Sequence, residues 1–408
     1  MRKHHSSMVA VLAVLMLILA ACQSGSGSSA SGAPSAAGAS ASMAESEAPS
    51  ESATESESTP PAAGIKACQV SDTGGIDDKG FNQNAYAGLE RGKEDLGAEI
   101  TFLESTAATD YERNINTFID EGCDLIITVG FLLGDATADA SAQNAEQLFS
   151  IVDFAYDVSN TEFVAGVAER TGASEEEVAE NVGNNIQGLV FDTKSASMLA
   201  GYLAAGMSQT GTVGTFGGIQ IGPVTDFMFG FEAGVNFYND ENGTEVDVIG
   251  WDSASGEGTF TGDFENQDNG RQTAEALIQE GADIIFPVAG PVGLGAMAAV
   301  QDSGGEALYI GVDVDQAISV AEYEDIMLSS VLKRIDNAVF ASIEDAMDGA
   351  FEETLYVGTL ENEGVGLAPY HAFEDEVPQE LTDGIEALQE SLISGDVTAD
   401  EWSGAPAP

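Results

Sequence analysis

Residues 109–130 read TDYERNINTFIDEGCDLIITVG, and the fold class turns on this stretch. The first part, TDYERNINTFIDEG, predicts a helix with Thr109 as its N-cap. The second, CDLIITVG (123–130), is a continuous apolar run and predicts a strand covered on both faces. Before it, ACQVSD (67–72) and AEITFLES predict strands. Between these, FNQNAYAGLERGKEDLG (81–97) predicts a helix with apolar Phe81, Ala85, Leu89 and Leu96. After it, SAQNAEQLF and then SIVDFAYD continue the rhythm. The segment TEFVAGVAERTGASEEEVAENVGNN (161–185) interrupts it, with Ser174 as a cap, and reads as an excursion near a first crossing between lobes. The alternation then restarts. KSASMLAGYLAAGMSQ, PVTDFMFGFEAGVNFYN, NGRQTAEALIQEG and VGLGAMAAVQDSGG predict helices, while GTVGTFGG, EVDVIGWD, ADIIFPVAG and ALYIGVDVD predict strands. The expected fold is α/β, with two doubly wound, Rossmann-like parallel-sheet lobes. Ligands bind such sheets outside the carboxyl ends of the strands, so two facing lobes make a cleft.

Composition narrows the partners. The 408 residues hold 12 Lys+Arg against 69 Asp+Glu, a formal charge of −57. Like charge argues against nucleic acid and against an anionic membrane surface. The hydrophobic share of 43% is enough for real cores. The acidity is either an adaptation to high ionic strength, where repulsion is screened, or a lineage composition. Of three histidines, His4 and His5 lie at the extreme N-terminus, which leaves His371 for the body. A His-rich zinc site is excluded, and a Ser-His-Asp triad would rest on one candidate.

The N-terminus reads as a targeting device. Arg2, Lys3, His4 and His5 precede the apolar run MVAVLAVLMLILA (8–20), shorter than the roughly 20 residues of a bilayer span. Residues 1–21 are therefore expected to be a signal peptide. Leu19-Ala20-Ala21-Cys22 resembles a bacterial lipobox, which makes Cys22 the lipidation candidate; an ordinary cleavage site with an incidental cysteine is the alternative. Residues 22–64, almost entirely Ser, Ala, Gly, Glu, Thr and Pro, form a tether with a random-coil reach of roughly 35 Å. No other apolar run approaches a transmembrane length.

The densest candidate site is the loop Asp72-Thr73-Gly74-Gly75-Ile76-Asp77-Asp78-Lys79-Gly80-Phe81-Asn82. A Gly-rich strand-to-helix turn exposes backbone N–H groups and admits a ligand closely. D-x-G-G-x-x-D-K-x-F-N-Q-x-A-Y-x-G, followed by Gly130-Phe131 with Asp135, resembles the basic membrane protein (Bmp/Med) family of ABC-transporter substrate-binding lipoproteins, several of which are purine-nucleoside receptors. Phe216-Gly217-Gly218, PVTDFMFGFEAG (223–234), Ala289-Gly290, GVDVDQ (311–316) and SVLKR (330–334) extend the likeness over about 65–395.

The resemblance implies a periplasmic-binding-protein type I architecture, with 65–190 plus 316–352 as the N-terminal lobe and 191–315 plus 353–400 as the C-terminal lobe. It implies a purine nucleoside or similar neutral molecule held between Phe81 and Phe227. Asp313 would bind the ribose with Lys333 beside it, and Gly290 would offer backbone. Asp72, Asn82 and Asp135 would read the base or line the pocket. Of Phe227, Phe229 and Phe231, one is expected to face the ligand, and Asp315 is either a helix cap or a contact. The implied partners are a permease, an ATPase and the membrane through the lipid anchor, on the extracytoplasmic face. No cofactor, metal or catalytic residue is expected.

Other classes remain as alternatives: a ligand sensor without a transporter, or a nucleoside hydrolase. Asp72-Thr73-Gly74 and Asp302-Ser303-Gly304 look like the paired loops of an aspartic protease, but their surroundings are βαβ, not all-β. AGPVGLG lacks the Lys-Ser/Thr of a phosphate loop, and no calcium loop is present. Cys68 and Cys123 lie on strands that neighbour one another in the doubly wound order. They are either a disulfide or two buried thiols.

Overall fold

The computed structural model describes residues 64–351 and 355–404. The expected signal peptide, Cys22 and the tether up to residue 63 lie outside the described residues. Strands β1 (Lys66–Ser71), β2 (Glu99–Leu103), β3 (Leu125–Val129), β4 (Leu148–Val152) and β5 (Ile186–Phe191) alternate with helices. These are α1 (Phe81–Arg91), α2 (Tyr111–Asp120), α3 (Gly134–Gln143), α4 (Thr161–Thr171) and α5 (Glu175–Asn185). The strands pair in parallel in the order β2-β1-β3-β4-β5. All five residues of β3 are buried, as its continuous apolar run requires when helices cover both faces.

The second sheet repeats the plan. Its strands are β6 (Thr212–Gly217), β7 (Asp247–Ile249), β10 (Ile284–Val288), β11 (Leu308–Asp313) and β12 (Met327–Lys333). A small hairpin, β8 (Trp251–Asp252) with β9 (Glu257–Gly258), lies beside them. The order β7-β6-β10-β11-β12 is again parallel and again switches direction after its first strand. The helices are α6 (Thr193–Met207), α7 (Gly222–Asn242), α8 (Gln267–Gln279), α9 (Val292–Asp302) and α10 (Gln316–Ser319). The chain then forms α11 (Ile335–Asp348), β13 (Tyr356–Gly358), β14 (Val365–Leu367), α12 (Gln379–Ser394) and α13 (Ala399–Trp402). β13 extends the first sheet beside β5, and β14 pairs antiparallel with β12.

The crossings between lobes correct the expected boundaries. The first lies at Asp192, between β5 and α6. The second falls at Arg334 rather than near 316, because Met327–Lys333 pairs with β11 as the fifth strand of the second sheet. The third lies between β13 and β14 rather than at 352–353. Residues 316–333 therefore belong to the C-terminal lobe, and the short β13 belongs to the N-terminal one. The excursion at 161–185 is in fact the crossover from β4 to β5, doubled into α4 and α5. Val164, Val167, Val178 and Val182 pack with Phe149 and Ile151, and Ser174 forms a capping box with Glu177. Thr109 sits in a short 3₁₀ turn, and the position before α2 is Asp110. Cys68 of β1 and Cys123, two residues before β3, form a disulfide with Cα atoms 6.1 Å apart.

Candidate functional site

The loop after β1 is built by two carboxylates and one amide. Asp78 accepts the N–H groups of Gly80, Asn82 and Gln83 at 3.0, 2.8 and 3.0 Å, which satisfies donors at the N-terminus of α1. Asn82 Nδ2 donates to Asp78 at 3.2 Å and to Asp72 Oδ1 at 2.7 Å. The Gly74 N–H also reaches Asp72 at 3.2 Å. Phe81 is thereby fixed as the first residue of α1, while the buried Asn82 Oδ1 is left with no hydrogen-bond partner. Burial pushes the Asp72 carboxyl up to about 6 in spite of its two donors, and it raises Asp78 as well.

Across the gap, β12 delivers Lys333, which is only 2% exposed. Its ammonium donates to Asp153 of the first lobe at 2.6 Å. It also stands over the rings of Phe81, Phe191 and Phe227 at 4.9, 5.4 and 5.7 Å from their centroids. Asp313, the last residue of β11, is 6% exposed. Burial raises its carboxyl to about 7, Lys333 opposes that rise, and Asp153, Asp78 and Asp72 add to it. Asp153 and Asp313 both hold φ of +69°, a left-handed backbone that aspartate tolerates better than most side chains. Asn84 of α1 donates to the backbone oxygens of Lys333 and Asp313, at 2.7 and 3.4 Å, and ties the lobes beneath the gap.

Seven of the eight predicted ligand residues line this one cavity: Asp72, Phe81, Asn82, Phe227, Gly290, Asp313 and Lys333. Asp135 does not. Its side chain is 81% exposed and pairs with Arg170 at 3.2 Å on the outer face of α3. Phe227 is the cavity-facing member of its trio. Phe231 stacks on Phe286 at 4.8 Å in the core, and Phe229 lies under Lys194. Asp315 neither caps its helix by its side chain nor reaches the cavity; it pairs with His371 at 2.7 Å.

Sequence reasoning missed Asp153, Phe131 as a wall, and Phe264. An acid ending an apolar strand, as Asp72 and Asp313 do, could have flagged Asp153 in SIVDFAYD. Phe264 lies in the loop before α8, where nothing periodic marks it.

Residues 65–396 match the Bmp family, described as ABC transporter substrate-binding protein PnrA-like. The chain belongs to this family. It is 28% identical over 352 residues to the ABC transporter nucleoside-binding protein BmpA of Lactococcus lactis subsp. cremoris, covering 82% of this chain and 88% of that one. It is 30% identical over 321 residues to basic membrane protein D of Borreliella burgdorferi, covering 74% and 82%. A solute-binding protein of an ABC transporter system from Aeropyrum pernix K1 superposes with a TM-score of 0.69 at 24% identity, over 82% of this chain and 92% of that one. That likeness shows the fold, two lobes of the periplasmic-binding-protein type.

Members of the Bmp family are solute-binding proteins, not enzymes, and work with permease and ATPase subunits. The protease alternative fails on geometry too, since Asp302 ends α9 and pairs with Arg271 at 2.6 Å, away from the cavity wall. Among the described residues, no helix is long and apolar enough to cross a membrane.

Proposed function

We propose that the cleft captures a purine nucleoside, or a similar neutral molecule, and delivers it to a membrane permease. One observation carries this: Phe81 and Phe227 from opposite lobes, four acids and one lysine converge on a single cavity. Phe81 and Phe227 offer faces to a base, with stacking worth about 1–3 kcal/mol per ring. Asn82 Oδ1, unpartnered and buried, accepts from a base N–H, and Asp72 lies beside it. Asp313 accepts from ribose hydroxyls and Lys333 donates. Gly290, at φ +54°, lets the backbone come close to the ligand. The Lactococcus relative, named a nucleoside-binding protein, supports the same class.

The test is a thermal-shift screen of nucleosides, nucleobases, sugars and small peptides, followed by calorimetry. Stabilisation by inosine or guanosine is expected, without product after long incubation. A response confined to sugars or peptides would overturn the assignment.

The lipobox-like LAAC ending at Cys22 supports anchoring by lipid on the extracytoplasmic face, with the tether letting the lobes stand clear of the bilayer. Release of a Cys22→Ala variant into the soluble fraction is expected; retention would refute the anchor.

A further inference from the structure

We propose that Glu265 is an interlobe latch: it grips the first lobe through Thr73, the residue next to Asp72, and its charge biases closure toward the form in which that carboxyl carries a proton. The inference deepens the proposed function and depends on the cleft being the ligand site. Glu265, in the second lobe before α8, accepts a hydrogen bond from the Thr73 hydroxyl, one residue after Asp72. Its backbone is pinned, because Asp263 accepts the N–H groups of Glu265 and Asn266 at 3.0 and 2.6 Å. Tyr111, on the first turn of α2, keeps a buried hydroxyl without a partner; burial, and then the charges of Asp72 and Glu265, hold it above the ordinary tyrosine range.

The charged groups around Asp72 come from every side. Asp78 shares its loop, Asp313 and Glu265 arrive from the second lobe, and the cleft's cation, Lys333, is engaged by Asp153. Bringing the lobes together therefore adds negative charge beside a carboxyl that closure also desolvates. Both effects favour its neutral form, so the closed state binds a proton more tightly than the open one. The Thr73–Glu265 hydrogen bond favours closure, and the Glu265 charge opposes it until Asp72 is protonated.

The test measures the interlobe distance between spin labels at Glu162→Cys and Glu280→Cys in the intact chain, with and without inosine. Without inosine, the closed-to-open ratio is expected to rise several-fold as pH falls from about 7.5 to about 5, one proton allowing at most tenfold per pH unit. Glu265→Gln keeps an acceptor for Thr73 and should flatten the rise. Thr73→Val should lower the ratio at every pH and leave the slope unchanged. In an Asp72→Asn background, Glu265→Gln should flatten nothing further. Equal slopes in wild type and Glu265→Gln, or full flattening by Glu265→Gln in that background, overturn the latch. Failure of inosine to raise the ratio at any pH overturns the nucleoside assignment instead, and the ligand-free slopes still decide the latch.

Discussion

Replacing Lys333 by Met is the sharpest test of how the cleft is held shut. The side chain is 2% exposed, pairs at 2.6 Å with Asp153 across the lobes, and faces the buried Asp313. Met preserves much of the apolar stem that lies among three aromatic rings. What it removes is charge, leaving Asp153 buried and uncompensated, a loss of about 3–5 kcal/mol for a pair of this kind. Because the partners sit on different lobes, that cost falls on the closed form. Nucleoside affinity should drop roughly 150- to 4,000-fold. Asp313, already raised to about 7 with Lys333 opposing the rise, should go higher and be neutral at pH 7.

Part of the loss in Lys333→Met would be ligand contact, so the decisive measurement is calorimetry on a double-mutant cycle with Asp153→Asn. Removing both charges leaves no orphan, and the double variant should bind better than the sum of the singles predicts by more than about 1 kcal/mol. Strict additivity, or wild-type affinity in Lys333→Met, would refute the interlobe ion pair as the closing contact.

Other outcomes follow from the same geometry. Phe81→Ala should cost about 1–3 kcal/mol of nucleoside affinity by calorimetry, whereas Phe231→Ala, in the core, should cost about 3–5 kcal/mol of stability in denaturant melts. Reducing the Cys68–Cys123 bond, which closes 55 residues of separation, should remove about 4 kcal/mol of stability and lower the thermal midpoint by several degrees. Asp313 has a folded-state pKa above its unfolded value of 3.8, so the folded chain binds the extra proton between about pH 4 and 7. Its stability contribution thus falls as pH rises through that window, and Asp313→Asn should flatten the midpoint-versus-pH curve there. A nucleoside monophosphate should bind at least about tenfold more weakly than its nucleoside by competition calorimetry, since a phosphate would enter among buried carboxylates; equal affinity would contradict the charge assignment.

Most of this site was legible because its residues sit where sequence punctuation is strongest. Asp72, Gly290 and Asp313 each end or follow an apolar strand, and Phe81 opens a helix after a glycine-rich turn. Asp135 misled because it follows Gly130-Phe131 closely. However, a 3₁₀ turn, Phe131–Leu133, intervenes before α3 and leaves Asp135 on the helix's outer side with Arg170. The lobe boundary was misplaced for a related reason. Crossing points depend on which sheet a strand joins, and MLSSVLK has the same apolar character in either one. Asp153 escaped notice because its role lies in pairing with Lys333, 180 residues away, and pairing at that separation leaves no local pattern.

The cleft's contents follow from a repeated strand order with one break in it. Phe81 lies on the helix after the first strand of one lobe, and Phe227 on the helix after the first strand of the other. Gly130 follows β3 and Gly290 comes two residues after β10, the matching strand, both at positive φ. Asp153 follows β4 and Asp313 ends β11, again matching, with the same φ of +69°. Two lobes facing each other thus supply aromatic walls, close-approach glycines and acids in pairs, as two copies of one switch-point geometry must. The fifth strands differ: β5 ends in Phe191 and β12 in Lys333. That single substitution of an ammonium for a ring places one cation among three aromatic faces and two opposed acids. Without it, closure would bury Asp153 against Asp313 with nothing between them, a repulsion that only protonation could relieve. With it, the acids are balanced only in part, which is why the proposed cargo is one that carries no negative charge of its own. The proposed preference for a neutral ligand therefore rests on the local ratio of acids to cations rather than on the overall charge of −57.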